Sequence, residues 1–370
     1  MNVNIMQKNY KLVLDTFCEV YDLLNPWADA EFWNFEEHIN DGKLIPGAIY
    51  LIGRQQFSVN IPIIRKFIQN KTIKIVLSNP AEGSDSLRTH CNHVFNVADL
   101  VESNQMLLIG GGNMDASWPC LQFDSFLPKI YDYQENINAI TRTDEIFNKV
   151  NKPYKFLFLN GRGRSHRKQL ITQLAELKIL DYSLWTNLDT VNGPIKYLPQ
   201  EYEFDFYQSR INLSTTDSFV KNSLFDSTWG EIYLKAEPYI DTYFSLITET
   251  VFTYPYSFRT EKIWKPVAMG HPWVAVANYG YYRDIHNLGF KTFGHVVDES
   301  FDLIDHNQTR LERITAVIED LCQQDLAKFL EECYNVCKYN QQHLAEMRIK
   351  VRKEFPDRFF QFIEQYKFNE

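Results

Sequence analysis

The chain has 370 residues, 45% hydrophobic and 15% aromatic, and a formal net charge of −9 at pH 7. That length supports two domains with separate cores, and the apolar content excludes a disordered chain. The acidic balance argues against nucleic acid as a partner, because gripping a phosphate backbone takes a basic surface.

The opening MNVNIMQKNYKLVLD lacks a signal peptide's apolar core. No apolar run approaches the ~20 residues of a membrane helix. The expected chain is cytoplasmic, with no transmembrane segment. Cysteines at 18, 91, 120, 322, 333 and 337 form no CxxC pair and no zinc-type spacing, and no DxD triplet occurs, so no metal is expected.

Apolar positions Leu12, Val13, Phe17, Val20, Tyr21 and Leu24 predict a helix over 8–24, ended by Asn25-Pro26. The run 48–52 between Gly47 and Gly53 predicts a buried strand, and 61–68 a helix. A strand over 73–77 closes at Ser78-Asn79-Pro80. Weaker strands are expected at 94–97 and 106–109, the second running into Gly110-Gly111-Gly112. Strands separated by helices imply a parallel sheet with crossovers, here a first α/β domain over 1–150.

A second unit opens with a strand over 155–159, a cationic loop over 160–166 and a helix over 167–177. Strands follow at 211–214, 243–249 and 273–276, with a helix opening near Thr260 between the last two. Helices are expected over 303–327, 329–347 and 357–366. The second α/β domain therefore covers 151–345, and a closing helical segment over 346–370 is placed to pack back on the first domain. Two such domains with strand ends facing one another make a cleft.

Ligands of open α/β sheets bind outside the carboxyl ends of strands, which singles out the polar residues there. The loop NGRGRSHRK supplies Asn160, Arg162, Arg164, His166 and Arg167, with glycines that admit close backbone approach and guanidinium forks that match phosphate oxygens. It is neither a Walker loop nor GxGxxG; the alternative is a solvated basic turn. The strand over 243–249 ends at Thr248 and Glu249. Beyond it come Arg259, Thr260, Glu261, Lys262 and Lys265 at a helix start, where backbone N–H groups favour an anion. Glu261 and Lys265 also have the spacing of a plain helical ion pair, and Thr260 that of a cap. His271 before Pro272 is either a phosphate donor or a capping side chain. Glu82, beyond the strand over 73–77, is the expected base for an acceptor hydroxyl, or else an exposed loop acid.

The segment TEKIWKPVAMGHPWVAV resembles the donor site of GT-B glycosyltransferases, in its fucosyltransferase-like form. The wider run FSLITE, RTEKIWKP, NLGFKTF and DES is similar to a group of glycosyltransferases found in viral and bacterial genomes. The resemblance covers about 155–300, and NGRGRSHR is similar to that group's NRRPRPHR-type loop. It implies two Rossmann-like domains facing across a cleft. Glu261 would contact ribose or sugar, and Arg164, His166 and Lys262 the phosphates. Gly161, Gly163 and His271-Pro272 depart from the pattern. The expected activity is metal-independent sugar transfer from a nucleotide-sugar donor to a glycan, lipid or protein hydroxyl, with no cofactor. The competing readings are an inactive nucleotide- or sugar-binding interaction module and a sugar-nucleotide epimerase.

Overall fold

The computed structural model describes residues 10–161, 163–188, 196, 198–202 and 233–366. The chain divides into two compact units, Met1–Pro128 with Met347–Glu370, and Lys129–Glu346. Both are α/β, and among the described residues every pairing between the named strands is parallel, as in Rossmann-like domains, with one isolated antiparallel bridge from Asn187 to Lys196.

Unit 1 has six strands: β1 (Leu12–Asp15), β2 (Ala30–Phe32), β3 (Ile49–Gly53), β4 (Lys74–Asn79), β5 (Met106–Gly110) and β6 (Cys120–Gln122), in the order β2-β1-β3-β4-β5-β6. Every residue of β3 and β5 is buried. A parallel sheet covered on both faces demands such unbroken apolar runs. Alternate residues serve separate cores. Tyr50, Ile52, Ile75, Leu77 and Leu108 join one cluster, while Ile49, Leu51, Val76, Leu107 and Ile109 join the other.

The second of these cores is closed by the end of the chain. Phe355, Phe359, Phe360, Phe362 and Ile363 pack into it at helical spacing. The Phe355 ring lies 4.7 Å from that of Phe123, and Arg358 donates to the Gln122 carbonyl at 2.7 Å. These residues belong to one helix, Leu326–Gln365, where the sequence predicts two separate helices over 329–347 and 357–366. Pro356 removes one backbone donor but does not end the helix, because Phe355 and Phe359 on either side of it are fully buried.

Two other expectations give way. Where the sequence predicts a helix over 8–24, the described residues 10–24 hold β1 and only a four-residue helix, Tyr21–Leu24. Leu12, Val13 and Leu14 are buried on both faces of the sheet, and such a strand has no alternation to set it apart from a helix. The strand expected at 94–97 is replaced by a π-helical turn, His90–Val94, and a left-handed Asn96 with φ 52°.

Unit 2 has β7 (Tyr154–Asn160), β8 (Leu184–Asn187), β9 (Thr242–Thr248) and β10 (Trp273–Val276), in the order β10-β9-β7-β8. The strand expected at 211–214 lies outside the described residues. Residues 129–150 group with this unit. Arg142 pairs with Glu237 and Lys149 with Asp241, and the Lys152 amine donates to the carbonyls of Ile146 at 2.8 Å and Ile240 at 2.6 Å. Among the described residues no helix is long and apolar enough to cross a membrane.

Phe359→Ala should destabilise unit 1 by about 3–5 kcal/mol, the usual cost of truncating a buried Phe. Urea unfolding followed by a probe in unit 1 would read it. A midpoint equal to wild type would mean that the terminal helix is not part of that core.

Candidate functional site

In unit 2 the chain leaves β7 for β8 on one side and later returns to β9 on the other. Strand order therefore reverses between β7 and β9. With right-handed crossovers the helices after these strands lie on opposite faces, and a crevice opens outside the carboxyl ends. In unit 1 the same reversal falls between β1 and β3.

The two reversal points are furnished differently. In unit 1 the Asp15 carboxylate accepts from the amides of Phe17 and Gly53, both at 2.9 Å. Gly53 caps the helix Arg54–Gln69, and a Cβ there would lie 3.1 Å from Asp15 Oδ2 and 3.3 Å from Cys18 Cα. The chain's own carboxylate thus meets an amide at the helix end where an external anion would otherwise sit.

In unit 2, β7 ends at Asn160 and β9 at Thr248. The Thr248 hydroxyl donates to Asn160 Oδ1 at 2.8 Å. Asn160 is buried, and its Nδ2 has no hydrogen-bond partner among the described residues. The helix Ser165–Glu176 begins directly after the glycine loop. From its first turn Arg167 donates to the carbonyls of Thr248 at 2.8 Å and Glu249 at 3.2 Å. His166 Nε2 lies 3.1 Å from the Glu249 carbonyl, and its ring stacks on Phe252 at 4.9 Å. Burial and the neighbouring Arg167 charge lower the His166 pKa to about 3. The ring is therefore neutral, and its Nε2–H donates to that carbonyl. His166 and Arg167 fasten this helix to the end of β9. Arg164, at the N-cap position, is exposed. Arg162 lies outside the described residues.

Glu249 is fully buried. Its Oε1 accepts from the Thr260 amide at 3.1 Å and the Tyr281 hydroxyl at 3.0 Å, and its Oε2 from the Thr260 hydroxyl at 2.7 Å. Burial raises its pKa against the opposing pull of Lys262 and the Thr260 bonds. Thr260 also caps the helix Glu261–Ala268, its Oγ1 accepting from the Lys262 amide at 3.3 Å. The Lys262 amine sits 2.6 Å from Glu261 Oε1 and 3.1 Å from Thr260 Oγ1. Burial pushes the Glu261 pKa up, but Lys262 and Lys265 outweigh it and hold the carboxyl below its ordinary value. Glu261 is thus a buried, ionised acceptor. Arg259 is fully buried, with its charge acting on Tyr281. Lys265 lies one turn beyond Glu261, half-buried.

Two predicted residues fall elsewhere. His271 Nε2–H donates to the carbonyl of Thr242, the first residue of β9, at 2.9 Å, and its Nδ1 accepts from the Ser245 hydroxyl at 2.9 Å. Six residues at ~3.3 Å each put that end of the strand ~20 Å from Thr248. A crossover helix returns the chain to the amino edge of the sheet, so a residue placed after it is remote from one placed before it. Burial lowers the His271 pKa to about 3. Glu82 belongs to unit 1, where it accepts from Arg54 Nη1 at 3.1 Å; Arg54 Nη2 lies 3.2 Å from His90 Nε2.

Tyr281 and Asn278 belong to the unit 2 rim but are absent from the sequence-derived set. Asn278 lies two residues beyond the end of β10, so the same strand-end rule applied to that strand identifies it. Among the described residues there is no group of three or more metal-ligating side chains. No protein-family model, curated protein or solved structure matches the chain.

Glu249→Gln preserves the shape and removes the titration. A raised folded-state pKa contributes stability below the unfolded value of ~4.3, and that contribution is lost as pH rises through the folded value. The melting temperature of the variant minus that of wild type should therefore increase from pH 5 to pH 8. The slope is at most about 1.4 kcal/mol per pH unit within the window. A difference that stays flat or falls would show that Glu249 is not destabilised as an anion.

Proposed function

We propose that the chain is a metal-independent glycosyltransferase of the GT-B type. It moves a sugar from a nucleotide-sugar donor to a hydroxyl acceptor, and it holds the donor on the carboxyl rim of the unit 2 sheet. The observation that carries this reading is the ionised, buried Glu261. Lys262 holds it at a helix N-terminus that hydrogen bonds link to the β7/β9 reversal point. A carboxylate in that state accepts strongly from a diol, as on a ribose or a sugar.

Charge supports the same reading. Residues 160–167, 248–249 and 259–265 contain six Lys or Arg and two Glu, a local balance of +4 in a chain of net charge −9. Within that excess, Arg164 and Lys262 are the proposed phosphate ligands. With the N-terminus of the helix Glu261–Ala268, they would stabilise charge on the departing phosphate. His166 and Arg167 position the loop through their carbonyl contacts. Glu82 is the proposed base, oriented by Arg54.

Glu261→Gln keeps the size of the side chain but weakens it as an acceptor. By calorimetry with UDP-, GDP- and CMP-sugars, the best donor should bind about 10–100-fold more weakly, as expected for a hydrogen bond to a charged group. Unchanged donor affinity would remove Glu261 from the site. Tight binding by wild type without sugar release or transfer would favour a binding module, and isomerised donor an epimerase.

A further inference from the structure

Among the buried amides of the described unit 2 rim, two have an atom left without a hydrogen bond that bears on a ligand. One is Asn160, whose Oδ1 is taken by Thr248 and whose Nδ2 has no partner among the described residues. The other is Asn278, 2% exposed. Its Nδ2 donates to Ser257 Oγ at 3.1 Å and to the Tyr279 carbonyl at 2.9 Å, and Ser257 donates in turn to Asp284 at 2.5 Å. Those bonds set the direction of the amide. Asn278 Oδ1 is left with no partner among the described residues.

A buried polar atom without a partner is rare and costly, and calls for an explanation. Here one such atom is a donor and the other an acceptor, and they share one edge of one sheet. β10 pairs with β9 at Val276 and Thr248, and β9 pairs with β7. The two amides therefore flank the end of β9, about two strand spacings or ~10 Å apart. The Asn160 side adjoins the helix start that carries Arg164 and Arg167. The Asn278 side adjoins the loop between β9 and the helix Glu261–Ala268, which contributes Ser257 and the half-buried rings of Tyr254 and Tyr256, 5.5 Å apart. Arg310 braces that side, donating to the carbonyls of Ala277 at 3.2 Å and Phe252 at 2.6 Å.

We propose that Asn278 is a ligand-reading residue whose Oδ1 accepts an N–H from the base of a nucleotide, the phosphates of which lie toward Asn160. This rests on the nucleotide-sugar reading above and adds the side of the rim that takes the nucleoside. A neutral acceptor bonded to a loop that carries two aromatic rings suits a base, whereas the helix start with Arg164 suits phosphate. A pocket built around such a hydrogen bond also rejects ligands that lack the donor.

Calorimetry with UMP, CMP, GMP and inorganic pyrophosphate tests it. For Asn278→Ala the tightest-binding nucleotide should lose about tenfold or more in affinity, while pyrophosphate stays within about twofold of wild type. Ser257→Ala leaves Asn278 in place but unfastened. It should shift the nucleotide in the same direction by a smaller factor, and it serves if the first variant does not fold. Unchanged nucleotide affinity in the folded variants overturns the role of Asn278 alone. Equal losses for nucleotide and pyrophosphate also overturn it, since they indicate a structural effect. If wild type binds none of the four probes, the nucleotide-sugar reading falls with it.

Discussion

Four segments of unit 2 meet at Glu249. Its carboxylate holds the amide and hydroxyl of Thr260 and the hydroxyl of Tyr281, while its carbonyl takes His166 and Arg167. One residue thereby joins the end of β9 to the helices that start at Ser165, Glu261 and Tyr281. In a parallel sheet those helix starts all crowd the carboxyl rim, and each brings backbone N–H groups that need acceptors. A carboxyl group buried among them is well matched to that demand, although the burial raises its pKa. The proposed ligand residues Arg164, Glu261 and Lys262 lie at helix starts that this junction holds.

The two units share a strand-order reversal but resolve it differently. Unit 1 closes its reversal point with Asp15 and the close approach of Cys18 to Gly53. Unit 2 leaves a glycine loop, a buried amide donor and a positive local balance at the corresponding position. The proposed anionic ligand is therefore placed at unit 2, because at unit 1 a carboxylate of the chain already meets the helix-end amide.

Arg167 looks like a ligand in the sequence but ties backbone in the structure, as do two cations that the sequence does not single out. Arg167, Lys152 and Arg310 donate to carbonyl oxygens at the ends of strands and helices. Carbonyls left over at such ends need donors, and a buried guanidinium has several to give. Arg164 and Lys262 keep their charge closer to the surface, which is why they carry the proposed phosphate contacts while Arg167 does not.

The sequence by itself determined the α/β class, the strands β3, β4, β5, β7, β9 and β10 and the polar residues that follow them, because short apolar runs bounded by glycine or polar turns leave a local signature, whereas β1 reads as a helix. The rule that ligands sit after strands singled out Asn160, Thr248 and Glu249, and the helix start after Thr260 singled out Glu261. Strands β2, β6 and β8 were not legible, being only three or four residues long with mixed burial. Only the tertiary structure decided which cations face backbone, since two adjacent helical residues such as His166 and Arg167 differ from Arg164 solely in what packs over them. The same holds for His271, close to Glu261 along the chain yet at the opposite end of β9. Strand order likewise has no local signature: it arises from which buried faces pair, and it alone put β7 beside β9 and made their ends one site.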